Sequence, residues 1–173
     1  VEGDPVRPVR RDGQRDLLAA FTPGAGVHYL QTPFDGYPLI TNNNITIDGY
    51  TQPGSSPNTL AEESDAVLLI ELSGADAGTN ANGLTLQSSN CVVRGLVISR
   101  FLRAGILAAT NGHHVIEGNF IGLRPDGTAS LSTGNGEHGI RLEESPDNRI
   151  GGLTPAARNV VAFNGGAGGW LGA

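Results

Sequence analysis

Three stretches of this chain open with a glycine and continue as a short aliphatic strand: GLTLQ from Gly83, GILAA from Gly105 and GIRLE from Gly139. The first two starts lie 22 residues apart and the next two 34 apart. The longer interval is one repeat plus an insertion, RPDGTASLSTGN, whose Pro, Gly, Ser and Thr content reads as a loop. Each unit then runs on alike: a polar turn, a second strand (VVRG, VIEG, RIGG), a glycine turn and a third strand (LVIS, NFIG, NVVAF). Strands this short, rich in Val, Ile and Leu and bounded by Gly, Asn and Ser, bury no core alone. Stacked about 4.8 Å apart, coil on coil, they would share one continuous core.

The pattern predicts an all-β chain: a right-handed parallel β-helix of about four three-strand coils. Leu84, Leu86, Ile106, Ile140, Leu142, Val93, Ile116, Ile150, Ile98, Ile121 and Val161 recur at matching places and are predicted to face inward. Further upstream GVHYLQ supplies a first strand, NITIDG a second and AVLLIELSG a third, with YTQPGSSPNTLAEESD protruding between the last two. Leu17, Leu18 and Phe21 stand at helical spacing, so a short N-terminal helix is predicted to cap the first coil and shield its strand edges. Residues 1–25 then form the N-terminal segment and capping helix, 26–168 the β-helix, and 169–173 a tail or the start of a truncated coil. The pattern promises a further first strand near Gly168, and an uncovered coil there is predicted to be protected by self-association that buries Trp170 and Leu171, or by continuation of the repeat.

The segments ITIDGYTQPGSSPNT, GLVISRF, VIEGNFIG and NRIGGLTPAARNVVAFNGG resemble those of bacterial extracellular β-helix repeat proteins, which have the pectin-lyase-like architecture. The resemblance covers about Pro23 to Gly168 and rests on residues that build coils. It implies a secreted or cell-surface location and an association with polysaccharide or cell-surface glycan. VEGDPVRPVRRDG at the start of the sequence lacks the apolar centre of a secretory signal, which fits a mature product or a fragment.

Charge narrows the partners. Eleven basic residues, all Arg, stand against 17 acidic ones for a net charge of −6, which argues against nucleic acid. No run of eighteen apolar residues occurs, so no membrane span is predicted. Cys91 is the lone cysteine, which excludes an intrachain disulfide, and no Cys/His spacing points to zinc. No cofactor is predicted. The Gly-x-Ser-x-Gly elbow and the GGxGxD calcium repeat are both missing.

Two sets of side chains could carry chemistry. Asp48, Arg94 and Glu117 each precede the glycine turn after the second strand and are predicted to lie one above another on the outside. Asp48 and Glu117 would be two coils apart, roughly 9.6 Å, near the upper end of the spacing at which paired carboxylates invert a glycosidic bond. An Arg94 bridging the two acids, as a cross-strand ladder, is the plainer account. The second set is His138, Arg141 and Glu143 on or beside the first strand, where outward positions are Thr85 and Gln87, Leu107 and Ala109, then Arg141 and Glu143. In many carbohydrate-active relatives of this architecture that strand forms the substrate groove. A polysaccharide lyase would want acids there for calcium and a basic proton acceptor, and calcium enters only under that reading.

The remaining polar signals read as structure. Asn119 and Asn159 fall at one turn and predict an asparagine ladder. Gly95, Gly118 and Gly152 mark the bend before the third strand, and His113 and His114 sit in the turn before the second. The function expected is a non-catalytic β-helix module that is glycan-associated or adhesive. The alternative is a small carbohydrate-active enzyme, either a hydrolase with paired carboxylates or a lyase.

Overall fold

The computed structural model describes residues 26–130 and 132–172. In chain order the strands are β1 (His28–Gln31), β2 (Thr46–Asp48), β3 (Ile70–Ser73), β4 (Leu84–Leu86), β5 (Val92–Arg94), β6 (Leu96–Ser99) and β7 (Ile106–Ala109). There follow β8 (Val115–Glu117), β9 (Phe120–Ile121), β10 (Ile140–Glu143), β11 (Arg149–Ile150), β12 (Val160–Val161) and β13 (Gly169–Gly172). The chain visits three parallel sheets in rotation: β4-β7-β10-β13, then β2-β5-β8-β11, then β1-β3-β6-β9-β12. Successive repeats therefore stack on one another, an all-β, solenoid-like arrangement of the parallel β-helix kind. The predicted capping helix over Leu17, Leu18 and Phe21 lies outside the described residues.

Stacking puts like residues in columns. Leu84, Ile106 and Ile140 are in register in the first sheet, Val93 and Ile116 in the second, and Ile98 and Ile121 in the third. All seven are buried in one continuous core with Leu86 and Leu142, as the repeat predicts, and Val161 packs against it half-buried. Ile150 departs from the prediction: it holds the core register above Ile116 yet is 43% exposed, because β11 is the last strand of its sheet.

GVHYLQ is also corrected. β1 pairs with β3 and so belongs to the third sheet, not the first. The first-sheet place in the opening coil is held by Ile40, through a single bridge to Leu86. Pro38 two residues before it lacks a backbone N–H, which leaves little ladder to extend.

The insertion after β9 does more than loop out. Leu123, buried with Leu68, covers Val97 and Phe120 on the outer face of the third sheet, and Ala129 packs beside them. At β6 and β9 that sheet is thus buried on both faces, which is why LVIS reads as a continuous apolar run rather than an alternation. Asn135, at the end of the predicted insertion, is itself a buried member of the coil.

Side chains finish the hydrogen bonding at each corner. Before the third sheet, Asn119 Oδ1 accepts from Leu96 N–H at 3.1 Å, and Asn159 Oδ1 accepts from Asn119 N–H at 3.0 Å, the ladder expected. After the third sheet, Asn135 and Asn164 repeat the device, accepting from Phe101 N–H and Asn135 N–H at 3.1 Å each. Before the second sheet, His114 Nδ1 accepts from Cys91 N–H at 3.2 Å and Asn148 Oδ1 from His114 N–H at 2.8 Å. The residue just before this last column is left-handed in every coil: Asn44, Asn90, His113 and Asp147 have φ of 60, 57, 61 and 56°. Asn, Asp and His are the non-glycine residues that tolerate that region best.

Candidate functional site

The second-strand flank carries the first predicted set. Asp48, Arg94 and Glu117 are in register on β2, β5 and β8, as the repeat required. Arg94 Nη2 meets Asp48 Oδ2 at 2.7 Å. Glu117 is not bridged by Arg94; its Oε2 is held by Arg149 Nη1 at 2.8 Å, from the coil above. The side chains therefore form two separate acid–base pairs, the second of them diagonal, since Arg149 stands in register with Val115 and not with Glu117.

This flank is roofed. Tyr50 leaves a short 3-10 turn, Gly49–Thr51, lies over the corner glycines Gly95 and Gly118, and donates its hydroxyl to Gly118 O at 2.8 Å. A Cβ on Gly95 would come within 2.9 Å of the Tyr50 ring, and both glycines are left-handed, with φ of 71 and 65°. In the fourth coil the left-handed residue is Gly151 rather than the predicted Gly152. Burial, then the charges of Asp48 and Glu117, push the Tyr50 phenol up to about 12. Tyr50, Pro57 and Thr154 wall in a space of about 270 Å³ beside Arg94 and Glu117.

The first-strand flank is open and carries the second set. Thr85, Leu107, Arg141 and Trp170 form one outward column and Ala109, Glu143 and Gly172 the next. Arg141 Nη1 reaches Glu137 Oε2 at 3.4 Å and Nη2 pairs with Glu143, while Arg103 Nη2 reaches Glu137 Oε1 at 3.5 Å. The Arg141 guanidinium lies 5.1 Å from the centre of the Trp170 ring. The His138 ring stacks on that indole, 5.6 Å between centres and 16° between planes, and its Nδ1 accepts from Ala167 N–H at 3.1 Å. Trp170 stays 38% exposed, beside a hollow of about 320 Å³ lined by Ala109, Thr110, Glu143 and Glu144.

His138, Arg141 and Glu143 are thus brought together, and Asp48, Arg94 and Glu117 are on a different sheet. The six do not form one centre. Sequence reasoning missed Glu137 and Trp170 as members of this group; the register of Trp170 on Arg141 was the available signal, since GW stands where IR stands one coil earlier. It is Leu171, in register with Leu142, that takes the core column at this end, and it is 79% exposed. Trp170 faces outward instead.

Of the chemistry offered, the acids on both flanks face guanidinium groups, and an ionised carboxylate accepts hydrogen bonds but has no proton to donate. On the second flank Tyr50 and the loop at Pro57 cover the corner beside Arg94 and Glu117. On the first flank Arg141 is held between two carboxylates. Among the described residues no three His, Cys, Asp or Glu stand close enough to hold a metal ion, and no helix is long and apolar enough to cross a membrane. His113 and His114 are the turn residues expected, with His113 exposed and His114 buried. Comparison with models of protein families, with curated proteins and with solved structures finds no match.

Proposed function

We propose that the chain is a right-handed parallel β-helix module of pectin-lyase-like architecture that binds polysaccharide without cleaving it, as part of a secreted or cell-surface protein. The handedness follows from the strong right-handed preference of crossovers between parallel strands in one sheet. The observation that carries the binding reading is the group around Trp170: an exposed indole braced by His138 and Arg141, with Glu137 and Glu143 beside it on the open first-strand flank. An aromatic face takes the apolar C–H face of a sugar ring, and fixed carboxylates accept from its hydroxyls. Ion pairing holds these groups in place before any ligand arrives, which lowers the ordering cost of binding.

The test is retention on insoluble cellulose, chitin and xylan, with parallel measurement of reducing ends and of unsaturated products in the ultraviolet. Retention without product is expected, and Trp170→Ala should weaken it about tenfold, as loss of an aromatic anchor does. Release of either product would establish the enzymatic alternative and overturn the non-catalytic reading.

A further inference from the structure

In a solenoid each repeat touches only its neighbours, so a terminal coil can open at the cost of one interface. The loop between β2 and β3 breaks that rule. It is stiffened internally: Ser56 and Val67 exchange backbone hydrogen bonds of 3.0 and 2.9 Å, and Thr59 donates through both N–H and Oγ1 to the Asp65 carboxylate at 2.6 Å each. Asn58, only 4% exposed, accepts at Oδ1 from Leu60 N–H and Asp65 N–H.

The loop leaves the first coil and arrives at the fourth, a climb of roughly 14 Å at the usual strand spacing. There Asn58 Nδ2 donates to Pro155 O at 3.3 Å. Arg158 completes the join with its guanidinium: Nη1 donates to Glu62 O at 3.2 Å and Glu63 O at 2.9 Å, and Nη2 to Leu60 O at 3.3 Å and to Ala61 O. Four consecutive carbonyls thus converge on one planar fork, a geometry that the three donors of a Lys ammonium do not reproduce. These contacts join residues 95 to 98 positions apart.

We propose that this loop is a longitudinal clasp, fastened by Arg158, that ties the fourth coil to the first and makes opening of the fourth coil as costly as opening the coils between them. The inference is independent of any ligand.

Amide hydrogen exchange on the wild type and on Arg158→Ala tests it. The readouts are Arg149, Gly151 and Ala162, whose N–H groups bond down from the fourth coil to the third, against Gly83 and Leu84 in the second coil, whose N–H groups bond to the third. In the variant the fourth-coil amides should exchange at least about tenfold faster while the second-coil amides hold their rates, the signature of a sub-global opening. Arg158→Lys, which keeps charge and stem, guards against a variant that fails to fold and should move the same amides in the same direction. Unchanged fourth-coil exchange in a folded variant, or equal acceleration in both coils, would overturn the clasp.

Discussion

In the column Ile45, Cys91, His114 and Asn148, the histidine carries the side chain whose ordinary pKa lies between about pH 5 and 8. Its side chain is fully buried, and Nδ1 must keep a lone pair to accept from Cys91 N–H. The proton of the neutral ring then sits on Nε2, which finds no well-formed hydrogen bond, although the Ser88 backbone lies close enough to oppose the shift. Burial, aided by the neighbouring His113, holds the His114 pKa below its ordinary 6.5. In the window between the folded value and 6.5 the unfolded chain binds more protons, so stability rises with pH there. It is fully present above 6.5 and lost as pH falls through the folded value. His114→Asn keeps an acceptor, as Asn148 does one coil on, and should flatten the difference in urea midpoint between pH 7 and pH 5. His114→Ala orphans the Cys91 N–H and leaves a void, a cost of about 2–4 kcal/mol at pH 7 by the same measurement. At this scale the sequence was informative only where a residue type repeats. Asn119 and Asn159 were legible as a ladder, but His114 and Asn148 perform the same office with two different side chains and gave no such sign.

Elements owe their burial to different partners. The first strands alternate buried and half-buried because one face meets the core and the other meets solvent. Strands β6 and β9 of the third sheet do not alternate, since the insertion after β9 lays Leu123 over Val97 and Phe120. Leu123→Asp places a charge there and should cost about 3 kcal/mol in urea unfolding, against well under 1 kcal/mol for the exposed Leu102→Asp. Short strands also explain the misplacement of β1. GVHYLQ looks like GLTLQ, and four residues carry too little pattern to tell which sheet they join; only the pairing of His28 with Ile70 decides it. The clasp was illegible for another reason. Arg158 binds backbone carbonyls, which every residue has, so no side-chain partner in the sequence announces it.

For the whole molecule, stacking in register turns sequence period into a flank, and each flank has a different character. The second is closed by Tyr50 and the loop at Pro57, whereas the first stays open and ends at Trp170. His138, Arg141 and Glu143 were legible because they lie on or beside the Gly-aliphatic strand, and Trp170 was missed because it comes a coil later. That residue is the single tryptophan of the chain, so its emission reports one place. Titration with soluble cello-, chito- and xylo-oligosaccharides while following that emission tests the central claim most directly. The account predicts a saturable change in Trp170 fluorescence with at least one series and an unaltered oligosaccharide recovered afterwards. Binding detected by calorimetry with unchanged Trp170 emission, or recovery of a shortened sugar, would contradict it.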